Sequence, residues 1–398
     1  MRGENIKRNI LVISSMIPPD YTGAGKRAYR HCRYLHEQNI LAGLITQTGT
    51  YMKESNSQTK LPEKYIYRIP VIWKKDRYHK NAFQKLLEDI YCTIKTFSYL
   101  VRNRKQIGII HSFSGGNIGV VVFSKLFRRP LITEFTLLPD TKRKTAHWSQ
   151  EFSRNIIYNS SDVIVCISDA LEKWCRENKI RTKTIIIYNE TTFSPPSESK
   201  DALRNRILAE DLKGRSPVIL FMGPRTYRKG FDIVYEVHEI MRKEYPDHLL
   251  IILGLFDTKI PINGKRYDIT HYLEKRDIVH LGDVPDPEVY YQIADVTLFP
   301  SRREGFPNVV IESMASGTPV VARKLKGITD IIIDDGVDGY LVDGDDPEAY
   351  FNKIKMLMND GNKYYSMAKA GVDKVNHKFN TDTILSQYLS LYKDYINK

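Results

Sequence analysis

Short apolar runs alternate with amphipathic stretches along the whole chain. In the first half the apolar runs are 9–15, 41–47, 107–113, 130–135, 162–168 and 184–189. In the second half they are 218–223, 248–254, 277–282, 295–300, 318–323 and 339–343. Continuous apolar runs of this length are typical of parallel strands that helices cover on both faces. The pattern therefore predicts an α/β fold with two doubly wound, Rossmann-like domains.

The alternation is interrupted once, near the middle of the chain. Residues 191–215 are polar and begin with the pair Pro195 and Pro196, which is typical of a linker. We therefore predict an N-terminal domain at 1–195, a linker at 196–215 and a C-terminal domain at 216–378. Two such domains would face a central cleft, with ligands beyond the carboxyl ends of the strands.

The charge of the chain is divided unevenly. Residues 1–200 hold 33 Lys and Arg against 17 Asp and Glu, whereas residues 201–398 hold 27 against 30. The basic first half predicts an anionic partner, which could be a membrane surface, a phosphorylated acceptor or nucleic acid. A generally basic proteome is the alternative explanation.

Several protein classes do not fit this sequence. No apolar run approaches the ~20 residues of a membrane span, and the basic start leads into a short first strand, not a signal peptide. The cysteines form no CxxC pair, which fits a reducing cytoplasm; they are Cys32, Cys92, Cys166 and Cys175. We expect a cytoplasmic protein.

Two carboxylates stand in EGFPNVVIESMASG, directly after the run 295–300. Asn308 is a candidate N-cap for a short helix at 309–316. On this prediction, Glu304 precedes the helix and could bind sugar hydroxyls, whereas Glu312 lies inside it and could accept from a ribose. The alternative is a capped helix with a solvated Glu312.

Two glycine-containing loops could bind phosphate. GPRTYRKG places Arg225, Arg228 and Lys229 after Gly223, where they could meet a diphosphate, although the loop is not a P-loop. YTGAGKR, at 21–27, opens a helix whose N-terminus favours an anion. A basic solvated turn and an ordinary tight turn are the respective alternatives.

Other candidates are less specific. The stretch 65–106 interleaves aromatic and basic residues, which suits either a helix on an anionic membrane or a core helix with a solvated basic face. His111 ends a strand and is either a cleft residue or a satisfied core histidine. The acidic stretch 334–346 lacks the spacing of an EF-hand, and we predict no metal site.

Taken together, these motifs resemble the family-4 retaining glycosyltransferases of GT-B fold. The resemblance covers nearly the whole chain, and EGFPNVVIESMASGTPVVA is its most specific segment. It implies that Glu304 contacts the donor sugar, Glu312 the donor ribose and Lys229 the diphosphate. Further donor contacts are implied for Gly23, Gly25, Gly223, Arg225, Gly305, Phe306, Pro307 and Asn308. Residues 379–398 resemble the family's last helices, which cross back to the first domain.

The chain departs from the family pattern at several positions. Pro224 stands where the family has arginine, which is displaced here to Arg225, and Ala24 separates two glycines that are usually adjacent. Thr136 occupies the place where many members carry a histidine. Thr136 and His111 are therefore acceptor-side candidates, and the identity of a catalytic side chain beyond Glu304, Lys229 and Arg225 stays open.

The resemblance implies retaining transfer of a hexosyl group from a nucleotide diphosphate sugar, with UDP favoured over GDP. The acceptor would be lipid-linked or polysaccharide, in cell-envelope glycan synthesis at the inner face of the plasma membrane. Arg225 and Lys229 would stabilise the leaving diphosphate without a metal or other cofactor. A sugar-nucleotide epimerase of the same shape and a non-catalytic nucleotide-sugar-binding partner are the alternatives, and no motif supports a nucleic-acid partner.

Overall fold

The computed structural model describes most of the chain, and it divides into two compact units. The described residues are 9–15, 17, 23–47, 61–70, 72, 82–113, 117–139, 148–254, 259–262, 265–268, 277–282, 284 and 286–396. Unit 1 comprises Met1–Tyr188 and Leu385–Lys398, and unit 2 comprises Asn189–Ile384. Residues 21–22 of the first glycine loop and 73–81 of the basic aromatic stretch lie outside the described residues.

Unit 1 is built on a parallel sheet of seven strands. They are β1 (Asn9–Ile13), β2 (Leu41–Gln47), β3 (Ile66–Ile69), β4 (Ile107–Ser112), β5 (Leu131–Phe135), β6 (Val163–Cys166) and β7 (Thr184–Ile186). Their order is β3-β2-β1-β4-β5-β6-β7, so the chain reverses its direction of winding between β1 and β4. Every residue of β4 and β5 is buried, as expected for a sheet covered on both faces.

Unit 2 repeats this plan with a six-stranded parallel sheet and a small antiparallel hairpin. The strands are β8 (Val218–Met222), β9 (Leu249–Leu253), β10 (Lys259–Ile262), β11 (Lys265–Asp268), β12 (Ile278–Gly282), β13 (Val296–Phe299), β14 (Val320–Arg323) and β15 (Tyr340–Val342). The sheet order is β12-β9-β8-β13-β14-β15, and among the described residues β10 pairs with β11 alone. The winding reverses between β8 and β13.

Helices connect the strands in both units. They are α1 (Gly23–Glu37), α2 (Ala82–Arg102), α3 (Ile118–Leu126), α4 (Trp148–Ser160), α5 (Asp169–Glu177), α6 (Lys200–Ile207), α7 (Phe231–Glu244), α8 (Glu288–Ile293), α9 (Asn308–Ala315), α10 (Pro347–Asn359), α11 (Gly361–Lys378) and α12 (Thr381–Ile396). Within the described residues, no helix is both long and apolar enough to cross a bilayer.

The predicted fold class is confirmed, and the differences are local. Each predicted apolar run contains a strand, and both sheets are parallel. The strand β3 and the hairpin of β10 and β11 were not predicted, because polar residues interrupt the apolar positions in these strands. The stretch predicted as a linker contains α6, whose Leu203 is buried in a core of unit 2.

Candidate functional site

Two loops of unit 2 come together at the point where the winding of its sheet reverses. Residues 223–230 follow β8 and residues 300–307 follow β13, and these two strands pair directly. In doubly wound sheets, ligands bind beyond the carboxyl ends of the strands at such a reversal. The fold therefore places both predicted donor motifs of unit 2 at the expected ligand site.

Gly230 allows the two loops to touch. Its φ of 71° lies in the left-handed region, and a Cβ at this position would stand 2.2 Å from the carbonyl oxygen of Pro300. The backbone N–H of Arg302 donates to the carbonyl of Arg228 over 2.8 Å, and the Ser301 hydroxyl oxygen lies 3.2 Å from the same carbonyl. A side chain at position 230 would force these loops apart.

Glu304 is held by three donors from these loops. Its Oε1 accepts from Lys229 Nζ at 2.6 Å and from the Ser301 hydroxyl at 2.5 Å, and Arg228 Nη1 lies 3.5 Å away. Only 8% of Glu304 is exposed, so its position is fixed by these contacts. The structure thus brings together the carboxylate predicted for the donor sugar and the lysine predicted for the diphosphate.

Arg302 fastens the second loop to the start of α7. Its two terminal nitrogens each donate to one carboxylate oxygen of Asp232, both over 2.7 Å. Its guanidinium also lies 3.8 Å from the centroid of the Tyr227 ring and donates to the Tyr227 carbonyl over 2.6 Å. Such a planar, bidentate and stacked arrangement requires arginine, since a lysine ammonium has no matching geometry.

Glu312 is oriented separately, from α8. The Tyr291 hydroxyl donates to Glu312 Oε2 over 2.9 Å. Burial, reinforced by this carboxylate, raises the pKa of Tyr291, so the hydroxyl keeps its proton and remains a donor. Glu312 as a whole is half-buried.

The entry to α9 differs from the prediction at one residue. The prediction of Asn308 as the N-cap is wrong: the cap position is Pro307, without a side-chain bond, and Asn308 is the first helical residue. Its Oδ1 instead accepts from Asn189 Nδ2 over 2.6 Å. The Asn308 side chain, which the sequence predicted would cap the helix, therefore makes a contact with a residue distant in sequence instead. Gly305, Phe306 and Pro307 are buried beside it.

Arg225 lies inside unit 2. Only 1% of it is exposed, and its guanidinium stands 5.9 Å from the centroid of the Phe231 ring. After burial itself, Arg225 is the main cause that lowers the pKa of His280. Its neighbour Pro224 is exposed. A contact between Arg225 and a diphosphate stays a prediction.

The remaining candidates belong to unit 1. Gly23 is exposed and Gly25 is buried, and both lie in the first turn of α1. Thr136 is half-buried directly after β5. His111 is fully buried in β4. Their predicted donor and acceptor contacts stay predictions.

His111 is part of a buried polar cluster. The Tyr392 hydroxyl lies 2.5 Å from His111 Nδ1 and 2.5 Å from His31 Nε2, so it donates to one imidazole and accepts from the other. Burial, followed by His31 and Arg27, holds the pKa of His111 well below its usual value. These contacts favour the interpretation of His111 as a satisfied core histidine.

One carboxylate completes this cluster. Glu134 forms an ion pair with Arg27, accepts from the Tyr388 hydroxyl over 2.7 Å and lies 3.4 Å from His111. Tyr388 and Tyr392 come from α12, whereas Glu134 and Arg27 come from β5 and α1. The cluster therefore binds the end of the chain to the sheet of unit 1.

Within the described residues, His238, His248 and Asp277 are close enough together to hold a metal ion. His248 Nδ1 donates to the Tyr245 carbonyl over 2.8 Å, and its Nε2 lies 2.8 Å from His238 Nδ1. Burial lowers the pKa of His248, so its Nε2 accepts from His238. The opposite nitrogen of His238 lies 3.6 Å from Asp277. The two histidines share a hydrogen bond, and Asp277 lies beyond hydrogen-bond distance of His238.

Sequence reasoning missed four residues that hold the site. Ser301 and Tyr291 donate to Glu304 and Glu312, while Arg302 and Asp232 join the loops. Asp232 lies three residues after Lys229, and Arg302 lies two before Glu304. The charges of Asp232 and Arg302 next to the two motifs were the available sequence signal. That these two residues pair with each other depends on the order of the strands, which places β8 beside β13.

Part of this chain matches a known protein family, and relatives match it over different lengths. Residues 204–374 match the family described as Glycosyl transferases group 1. The capsular polysaccharide biosynthesis glycosyltransferase CapM of Staphylococcus aureus is 28% identical over 371 residues, covering 92% of this chain and 93% of that protein. The D-inositol 3-phosphate glycosyltransferase of Xylanimonas cellulosilytica is 32% identical over 214 residues, covering 50% of this chain and about half, 48%, of that relative.

Solved structures share the fold over nearly the whole chain. Sucrose-phosphate synthase of Thermosynechococcus elongatus has a TM-score of 0.75 at 18% identity, covering 97% of this chain and 98% of its own. HepE of Anabaena, in complex with UDP and glucose, has a TM-score of 0.73 at 16% identity, covering 97% and 100%. The fold is that of the GT-B glycosyltransferases. More narrowly, residues 204–374, which are less than half of the chain, are similar to the group 1 glycosyl transferases.

Proposed function

We propose that this chain is a retaining, family-4 glycosyltransferase that moves a hexosyl group from a nucleotide diphosphate sugar to a hydroxyl group. The observation that carries the proposal is the contact of Lys229 with Glu304 at the reversal of the unit 2 sheet. A diphosphate needs cations and a sugar needs acceptors for its hydroxyl groups, and this site offers both within one contact.

Each residue has a distinct task in the proposed reaction. Glu304 would orient the sugar by accepting from its hydroxyl groups, and Glu312, fixed by Tyr291, would accept from the ribose. Lys229 and Arg228 would meet the charge that develops on the leaving diphosphate. An oxygen of that leaving phosphate would take the proton of the acceptor hydroxyl, so the protein mainly positions the reactants.

We further propose that the reaction is independent of a metal and that the donor carries UDP. The two cations, Lys229 and Arg228, supply charge that a divalent ion would otherwise provide. The HepE structure, which shares the fold, holds UDP and glucose, and this supports the choice of base. Arg225 would help to stabilise the leaving diphosphate through its positive charge, although its side chain is buried.

The acceptor is proposed to be lipid-linked or polysaccharide, in cell-envelope glycan synthesis. Likeness to CapM, named for capsular polysaccharide biosynthesis, over 92% of this chain supports this class. The basic charge of residues 1–200 supports an anionic acceptor or an anionic membrane beside it. The protein would then act in the cytoplasm, at the inner face of the plasma membrane.

The deciding experiment starts from ligand binding. UDP-sugars, GDP-sugars and the free nucleotides are screened for an increase in melting temperature, because a ligand that binds the folded state stabilises it. A donor that binds is then incubated with glycan and lipid-linked acceptors, with and without EDTA, and the anomeric configuration of the product is determined by NMR.

Each outcome of that experiment has a meaning. Retained configuration with release of UDP in EDTA supports the full proposal, and inverted configuration overturns retention. Epimer formation without release of UDP would identify an epimerase. Binding without turnover over the acceptor panel, together with an unchanged pathway product after Glu304→Ala, would identify a non-catalytic partner.

A further inference from the structure

Two helices of unit 1 turn apolar side chains outward. On α2 these are Phe83, Leu86, Leu87, Ile90 and Ile94, whose spacing places them along one side of the helix. On α3 they are Ile118, Val122 and Leu126, again on one side. The exposed fraction reaches 66% for Phe83 and 65% for Leu126. We call these eight residues the apolar α2–α3 face.

The two helices pack against each other and present this face jointly. A Cβ at Gly119 of α3 would stand 2.8 Å from the carbonyl oxygen of Thr93 of α2, so the backbones approach closely. Asn117, at the start of α3, donates to the Thr96 hydroxyl over 3.1 Å. The opposite side of α2 is buried, with Leu100 fully inaccessible. The outward apolar side chains are therefore fixed on a rigid support.

The concentration of apolar groups is specific to this surface. Of the 16 large hydrophobic side chains that are exposed among the described residues, eight belong to the apolar α2–α3 face. Scattered exposed apolar residues are ordinary, whereas a contiguous group marks a surface that binds something.

Basic residues surround the face. The exposed cations of α2, α3 and the turns that follow them are Lys95, Arg102, Arg104, Lys105, Lys125 and Arg128. Asp89 is the exposed carboxylate of the same described segments, and Glu88 is half-buried. A second copy of this chain docked through the same face would oppose like charges around its edge. An anionic bilayer offers the complementary charge and an apolar interior.

We propose that the apolar α2–α3 face docks on an anionic bilayer. Its apolar side chains enter the boundary between headgroups and acyl chains, and the surrounding cations meet lipid phosphates. The inference deepens the proposed function by naming a partner surface, and it would hold the enzyme where a lipid-linked acceptor lies. Binding to vesicles needs neither donor nor acceptor, so its failure is distinct from failure of the proposed transfer.

Vesicle flotation of the whole chain tests this. The vesicles contain phosphatidylcholine alone, or phosphatidylcholine and phosphatidylglycerol in equal parts, at low and high salt. We expect recovery with the anionic vesicles, and a loss of at least about tenfold in the variant Leu86→Gln/Ile90→Gln/Ile94→Gln. The variant Lys95→Gln/Lys125→Gln should lose binding at lower salt than the wild type.

The matched control is Met356→Gln/Tyr365→Gln, which replaces exposed apolar residues of unit 2 and should float as the wild type does. Unchanged melting temperatures establish that each variant is folded. Equal recovery on neutral and anionic vesicles overturns the electrostatic part of the proposal. Undiminished flotation of the triple variant overturns the docking face. A wild-type dimer that the triple variant abolishes, without any flotation, assigns the face to a second copy.

Discussion

Lys229 donates to Glu304 over 2.6 Å, so the cation and the carboxylate proposed for different parts of one donor are each other's partners. A bound donor must therefore share or replace this contact. Ser301 and Arg228 also contact Glu304, so its carboxylate has partners even when no donor is bound. The site keeps its charges in place before a ligand arrives, which is the preorganisation that electrostatic catalysis needs.

Removing the cation tests this relationship. We expect Lys229→Ala to abolish the rise in melting temperature caused by UDP and to lower kcat/KM for transfer by at least about 100-fold. The exposed Lys243 of α7 supplies the control, since Lys243→Ala should leave both values as they are. An unchanged response to UDP in the Lys229 variant would remove the diphosphate from this site.

Arg302 should govern the geometry of the site without touching a ligand. In Arg302→Ala the loop that carries Glu304 loses its bidentate contact with Asp232, so kcat should fall while the protein stays folded. Arg302→Lys should not restore kcat, because an ammonium cannot make two parallel bonds. Arg206→Ala, at an exposed ion pair with Glu198, is the control. If Arg302→Lys had the kcat of the wild type, only the positive charge of Arg302 would matter, and not its bidentate contact with Asp232.

The ribose assignment of Glu312 predicts a preference between nucleotides. Wild-type protein should bind UDP more tightly than 2′-deoxy-UDP, and Glu312→Gln should narrow the difference. Tyr291→Phe removes the donor to Glu312 and should weaken UDP binding by about tenfold, the scale of a hydrogen bond to a charged group. Tyr290→Phe, one residue earlier, is the control. Calorimetric titration decides, and equal affinities in the wild type would contradict the assignment.

Unit 1 should lose stability in mild acid. Burial, followed by Arg27, lowers the pKa of His31 from 6.5 to about 3, and His111 shifts in the same direction. Below pH 6.5, His31 binds a proton in the unfolded chain but not in the folded chain. The free energy of unfolding therefore decreases from pH 6.5 down to about pH 3. The full contribution is present above pH 6.5.

One such group contributes a slope of about 1.4 kcal/mol per pH unit. Urea denaturation at neutral pH and at about pH 5 measures it, and His31→Gln should flatten the dependence. An identical pH dependence in that variant would show that acid destabilisation arises elsewhere.

Sequence reasoning reached the fold because strands buried on both faces leave continuous apolar runs. It also reached Glu304 and Lys229 as residues of loops that follow strands. It did not reach their contact, since 75 positions separate them and β9 and β12 intervene along the chain. Only the order of the strands, with β8 beside β13, makes their loops neighbours.

Helix α6 and the start of α9 show the other limit of sequence reasoning. Local composition marked 196–215 as a linker, yet Leu203 packs into a core supplied by distant strands. Local capping preference marked Asn308, yet Asn189 pairs with it from far along the chain. In both places, contacts with residues distant in sequence determine the local structure, and the preferences of neighbouring residues do not. The predicted domain boundaries stay predictions.

The two tyrosines of α12 have a consequence for how the protein is made. Unit 1 begins to emerge from the ribosome first, but Tyr388 and Tyr392, which close its polar cluster, are synthesised after all of unit 2. At about 5–20 residues per second, the nascent unit 1 waits roughly 10–40 s after Tyr188 for those side chains. Unit 2, continuous in sequence, is therefore complete before the unit that precedes it.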